Sequence, residues 1–203
     1  MRAIDADHPL LLATASPRRH TMIAELAIPA VVRPVEVDES TADGEGPDDF
    51  LVRIVGAKLA AARKLPEAER CAAILVADTI VVHGGRILGK PVDDAEAKRM
   101  LAAMAGGPHE VAGRFAIASE GVLEQQTVRT RVWFRDLDES QIARYVDCGE
   151  GRDKAGSYAI QGVGAFIVER IDGSHSNVIG LPLCEVIAAL QRHGLLGDCP
   201  WAR

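Results

Sequence analysis

At 203 residues, with 48% hydrophobic and 26% charged residues, the chain has an ordinary globular balance and is long enough to bury a real core. The formal net charge of −6 argues against broad nucleic-acid binding, so any phosphate site has to be a local basic pocket. No apolar run approaches the ~18 residues that would span a bilayer, and the N-terminus, polar with Asp5 and Asp7, is no signal peptide.

The run Pro9 to Ala13 is apolar and of strand length, and Thr14-Ala15-Ser16-Pro17-Arg18-Arg19 follows at once. Pro17 starts a helix with Ser16 as its N-cap, and Met22, Ile23, Leu26 and Ala27 continue it at helical spacing. Arg18 and Arg19 therefore lie in a first helical turn, where the macrodipole disfavours cations. A bound anion at the helix start would explain them, since free N–H groups also point there; two solvated arginines bearing a small penalty are the plainer alternative.

Pro47 to Lys64 reads as a helix with Asp48 and Asp49 in its first turn. At ~100° per residue, Phe50, Leu51, Ile54, Val55, Leu59 and Ala62 form one stripe, and Lys58 falls near its middle. Arg53, Arg63 and Lys64 fall outside, as solvated cations should. Lys58 either snorkels past its neighbours or sends its ammonium into a polar cavity, which would suit a phosphate. On the cavity reading, Lys58→Met keeps the stem and the thermal stability while activity is lost.

Ile74 to Val82, the turn His83-Gly84-Gly85 and Arg86 to Pro91 read as a hairpin. Asp78 interrupts a strand that otherwise reads as buried. A buried carboxylate is costly unless paired or metal-bound, so it marks either a site or a local turn capped with Thr79. Asp93 to Met104 is an amphipathic helix with Ala97, Met100, Leu101 and Met104 on one face, ended by Gly106-Gly107-Pro108. His109 to Ser119 and Glu124 to Phe134 read as strands, the second with Val128, Thr130, Val132 and Phe134 alternating against a wetter face. Asp138 caps a short helix to Asp147, Ala165 to Ile171 is a strand, and Pro182 to His193 is the last helix, with Leu183, Val186, Ile187 and Leu190 inward. A frayed tail is expected over 197–203.

The segment Gly149 to Gly162 packs glycines, acids, bases, Tyr158 and Gln161 together. It is too polar and Gly-rich for a core element. Its glycines allow close backbone approach to a ligand, its acids suit a hard divalent cation, its bases suit phosphate, and Gln161 can read a nucleobase edge. The cysteines Cys71, Cys148, Cys184 and Cys199 lack zinc or redox spacing and read as reduced cytosolic thiols.

In order along nearly the whole chain, these blocks carry a family resemblance. Thr14 to Arg19 looks like Ser-x-Ser-Pro-Arg-Arg, and Val37-Asp38-Glu39 like a short acidic motif after a second strand. Lys58, Ala77-Asp78-Thr79 and Gly89-Lys90-Pro91 match further blocks. Asp153 to Gly162 is similar to Asp-Lys-Ala-Gly-Ala-Tyr-Gly-Ile-Gln-Gly, and Asn177 to Leu183 matches a final block. The chain thus resembles the Maf family of nucleoside triphosphate pyrophosphatases. Two departures stand in the Gly-rich loop, Ser157 and Ala159. If the usual Gly at the second place needs φ > 0, Ala159 is strained by ~1 kcal/mol.

The resemblance implies a mixed α/β fold, one Maf-like domain over 1–203 with an elongated mixed sheet flanked by helices, and two lobes with a cleft between them. It implies a cytoplasmic hydrolase that releases pyrophosphate from a nucleoside triphosphate, with Mg²⁺ or Mn²⁺ held by Glu39, Asp78 and Asp153. Asp78 would be the general base. Lys58 and Lys90 would serve catalysis on the phosphates. Ser16, Arg18, Arg19, Thr79, Lys154, Tyr158 and Gln161 would bind substrate or set specificity. Arg18, Thr79 and Gln161 place the chain nearest the branch associated with dTTP and UTP. A 7-methyl-GTP enzyme of the same family and a non-catalytic nucleotide-sensing inhibitor of cell division are the rival readings. No nucleic-acid or membrane partner is expected, and a homodimer is left open.

Overall fold

The computed structural model describes residues 2–197. The expected tail therefore lies, from residue 198 on, outside the described residues. Among those described, seven strands form one mixed sheet in the order β2-β1-β3-β5-β6-β7, with β4 paired to β3. β1 (Leu10–Leu12) is completely buried and pairs in parallel with β2 (Ala30–Val32) and β3 (Ala73–His83). A continuous apolar run such as Leu10-Leu11-Leu12 fits a parallel strand covered on both faces. β4 (Arg86–Leu88) closes an antiparallel hairpin on β3, with His83 paired to Arg86, so the turn is Gly84-Gly85 alone. Both glycines have positive φ, as a two-residue hairpin loop of this kind requires.

The helices begin where the caps put them. α1 (Pro17–Glu25) has Pro17 at its first position and Ser16 as N-cap, but the Ser16 hydroxyl makes no capping bond. The Ser16 N–H instead donates to Thr14 Oγ1 at 3.2 Å. α2 (Pro47–Ala62) buries Phe50, Leu51, Ile54, Val55, Lys58, Leu59 and Ala62, the expected stripe with the lysine in it. α3 (Asp94–Met104) is capped by Asp93, whose carboxylate accepts from the Glu96 N–H, and it buries Ala97, Leu101 and Met104. α4 (Glu139–Asp147) carries a reciprocal capping box between Asp138 and Gln141.

β5 (Pro108–Ser119) and β6 (Val122–Phe134) are long, and Val128, Thr130, Val132 and Phe134 are buried as the alternation predicts. The expected strand from Ala165 starts later. Gly162–Phe166 is a 3-10 turn, and β7 runs Val168–Asp172, antiparallel to β6. The Ile167 N–H donates to the Gly164 carbonyl at 3.0 Å and so closes that turn instead of joining a ladder. A short helix, α5 (His175–Ile179), precedes α6 (Leu183–Arg192). No described helix is long and apolar enough to cross a membrane.

The chain divides into two compact units. The first comprises the chain to Asp78, Gly113–Thr127 and the chain from Gly180. Leu11, Ala13, Val55, Leu59, Ile74, Val76 and Ala116 form a core in it, where α2 covers the sheet. The second comprises Thr79–Ala112 and Val128–Ile179, cored by Leu101, Met104, Phe134, Tyr145, Tyr158 and Ile167 among others.

Candidate active site

In the first unit, the segment that follows β1 and the middle of β3 carry the polar groups. Arg19 is buried, and three acceptors from different parts of the chain surround its guanidinium. Its Nε donates to the Gly180 carbonyl at 2.7 Å, and its Nη1 to the Ala77 carbonyl at 2.9 Å and to Thr14 Oγ1 at 3.3 Å. Burial pulls the Arg19 guanidinium below its ordinary pKa, and the charge of Asp78 pulls it back. Arg19 therefore fixes the backbone beside Asp78, whereas Arg18 lies half-buried in the first turn of α1.

The buried position of Lys58 is explained by what its ammonium meets. Lys58 Nζ lies 2.7 Å from Asp78 Oδ1 and 2.6 Å from Glu39 Oε1. The ammonium therefore enters a polar site, and what it finds there is a pair of carboxylates. Asp78, the acid that interrupts an otherwise apolar strand, is paired by Lys58 in the middle of β3. Its side chain is 14% exposed, against 57% for Glu39.

Glu39 stands on the loop between β2 and α2, and Arg53 holds that loop. The Arg53 fork grips Glu45 through Nε at 2.6 Å and Nη2 at 2.7 Å, and donates to the Ser40 carbonyl at 2.8 Å. Glu45 is pushed down to about 2 by this contact. Arg53 was expected as a solvated cation. It is exposed, yet paired, because Arg53 and Lys58 stand five residues apart on α2, about 140° around the helix, and face different things: Lys58 the site, and Arg53 the loop that supplies Glu39.

The remaining candidates belong to the second unit. Thr79 follows Asp78 in β3 and is half-buried, and Lys90 is exposed just after β4. The Gly156 N–H donates to the Gly89 carbonyl at 3.0 Å, tying the Gly-Lys-Pro block to the Gly-rich loop. Lys154 Nζ bonds the Glu150 carbonyl and Asp153 Oδ1, both at 2.6 Å, so it is held within its own loop. Gln161 is exposed.

Tyr158 points inward. It is buried against Phe134 and His109 in edge-on ring contacts, and its hydroxyl meets His109 Nε2 at 2.8 Å. That placement makes Tyr158 a support for the loop. Among the non-glycine residues of the loop, positive φ falls on Ser157, at 60°, and not on Ala159. The strain expected of Ala159 belongs two residues earlier.

Among the described residues no group of three or more His, Cys, Asp or Glu is arranged to hold a metal ion. Glu39 and Asp78 do converge on one cationic nitrogen. Two carboxylates aimed at one positive charge are a donor set that fits Mg²⁺ or Mn²⁺, with water and phosphate oxygens completing the shell. The sequence reading missed the hold of Arg53 on the loop that carries Glu39 and the contact of His109 with Tyr158, since nothing local to either residue signals its partner.

A family model described as Maf-like protein matches residues 9–193. The chain is 44% identical over 196 residues to a dTTP/UTP pyrophosphatase of Geotalea uraniireducens, covering 95% of this chain and 99% of the relative. It is 42% identical over 186 residues to one of Hahella chejuensis, covering 92% of each. It is 43% identical over 198 residues to one of Anaeromyxobacter dehalogenans, covering 96% and 97%.

Proposed function

The chain belongs to the Maf-like protein family, and on that premise we propose that it is a metal-dependent pyrophosphatase acting on dTTP and UTP. The observation that carries the reading is the Lys58 ammonium seated between Glu39 and Asp78, at 2.6 and 2.7 Å, from blocks far apart in sequence. The near-full-length relatives named dTTP/UTP pyrophosphatase support the choice of substrate.

A nucleoside triphosphate resists attack by water because its negative charge repels the incoming oxygen. Lys58, Lys90 and the start of α1 at Ser16, Arg18 and Arg19 lower that charge density. Lys154 serves the same pole of the substrate. When bound at Glu39 and Asp78, with Asp153 as the further candidate ligand, Mg²⁺ or Mn²⁺ supplies charge neutralisation on the phosphate oxygens. Asp78 accepts a proton from the attacking water as the water oxygen bonds to phosphorus. The α–β phosphoanhydride breaks, giving the nucleoside monophosphate and pyrophosphate. Thr79 and Gln161 read the base. A Gln both donates to and accepts from the uracil or thymine edge, which a methylated, cationic guanine does not match. The proposed protein is a single cytoplasmic Maf-like domain acting on free nucleotide.

The test is a panel of dTTP, UTP and 7-methyl-GTP with Mg²⁺ or Mn²⁺, scored for pyrophosphate against orthophosphate. Pyrophosphate from dTTP and UTP, with 7-methyl-GTP poor, is expected. Equal rates on 7-methyl-GTP and UTP would overturn the base assignment. Binding without pyrophosphate release would favour a nucleotide sensor instead.

A further inference from the structure

Gln161 is exposed and extended, with φ −100° and ψ 169°, and the segment around it is held from below. The Glu150 carboxylate receives three donors. Its Oε1 accepts the Val163 N–H at 2.9 Å, and its Oε2 accepts the Gly164 N–H at 2.7 Å and the Tyr145 hydroxyl at 2.8 Å. The same Tyr145 oxygen accepts the Ala159 N–H at 3.1 Å. One network therefore grips the chain two residues before Gln161 and two and three residues after it.

The loop is shaped around the carboxylate. A Cβ on Gly162, whose φ is 69°, would collide with Glu150 Oε1. A Cβ on Gly164 would crowd Glu150 Oε2, the Tyr145 hydroxyl and the Ala159 carbonyl. Burial holds the Tyr145 hydroxyl above its ordinary pKa, so it stays a donor to the carboxylate. Three converging donors need a group that only accepts. A carboxylate meets that need, whereas an amide would aim an NH₂ at one of them.

We infer that Glu150 and Tyr145 are positioning residues that hold Gln161 in its base-reading place and so set the preference for pyrimidine nucleotides. The inference rests on the proposed reading of Gln161. Neither side chain touches the substrate. Their effect passes through the backbone of Ala159 to Gly164, and it falls on selectivity more than on bond cleavage.

The experiment measures pyrophosphate release from UTP and from GTP by the wild type, Glu150→Gln, Tyr145→Phe, Gln161→Ala and the double variant Glu150→Gln/Gln161→Ala. Glu150→Gln is expected to raise KM for UTP and lower kcat/KM roughly tenfold, with kcat and the GTP reaction changed less than about threefold. The UTP-to-GTP ratio then falls in Glu150→Gln and in Tyr145→Phe, and the double variant is no worse on UTP than Gln161→Ala alone. Should Glu150→Gln fail to fold, Tyr145→Phe carries the same measurement. Equal losses on UTP and GTP, or a double variant that multiplies the two single effects, overturn the inference. No release from UTP by the wild type overturns both it and the reading beneath it, whereas release with an unmoved ratio overturns it alone.

Discussion

At the scale of single residues, the Lys58–Asp78 contact changes what a substitution there should do. From the apolar stripe of α2 alone, replacing Lys58 by Met looks free of cost. The pair reverses that: Lys58→Met strands Asp78, only 14% exposed, without its cation. An unpaired group of this kind costs ~1–3 kcal/mol, so urea unfolding of Lys58→Met should show a loss of that order. Asp78→Asn leaves Lys58 with Glu39 and should unfold close to the wild type, while kcat falls ~10²–10⁴-fold through loss of the base. The double variant Lys58→Met/Asp78→Asn should recover ~1 kcal/mol or more relative to the sum of the singles. Additive singles would show that the 2.7 Å contact contributes nothing to stability. A kcat for Asp78→Asn above about a tenth of the wild type would remove Asp78 from the base role.

At the scale of elements, legibility followed periodicity and caps. The stripe of α2 was readable because burial there depends only on spacing along one helix, and every residue assigned to it is buried. The hairpin around Gly84-Gly85 and the cap at Asp138 were readable for the same local reason. The start of β7 was not, because the Ile167 N–H closes a 3-10 turn on the Gly164 carbonyl instead of joining the strand ladder. The inward turn of Tyr158 was not, because only the fold brings His109 to its hydroxyl. Of the site, the residue types were legible and the pairings were not: nothing local says that Lys58 meets Glu39 as well as Asp78. Gly56 offers a test of how far local rules govern α2. It is exposed in mid-helix, with open space where a Cβ would stand. Gly56→Ala should therefore raise the unfolding free energy by ~0.5–1 kcal/mol and leave kcat/KM unchanged. A loss of stability would mean that the space around Gly56 is needed.

At the scale of the whole molecule, the acid limb of stability should carry the signature of one buried histidine. His109 is 4% exposed, with Nε2 on the Tyr158 hydroxyl and Nδ1 buried without a partner. Burial, with a smaller contribution from the charge of His83, lowers its pKa from 6.5 to about 4. The neutral form is thus favoured in the fold, and the unfolded chain binds more protons between those two values. Its contribution to stability is complete above pH 6.5 and is lost as pH falls towards 4, by on the order of 3 kcal/mol in all. The paired carboxylates act at lower pH. Glu45 is held down near 2 by Arg53, and Glu67 is lowered by Arg33, so their contributions fade only below their unfolded value of 4.5. The window from pH 4.5 to 6.5 is therefore where His109 should dominate. His109→Gln keeps an amide for the Tyr158 hydroxyl and cannot titrate. Urea unfolding across that window should show a wild-type slope of up to ~1.4 kcal/mol per pH unit and a flatter one for His109→Gln. Parallel slopes would mean that His109 takes up its proton in the folded protein as readily as in the unfolded chain, and that the Tyr158 support tolerates its charge.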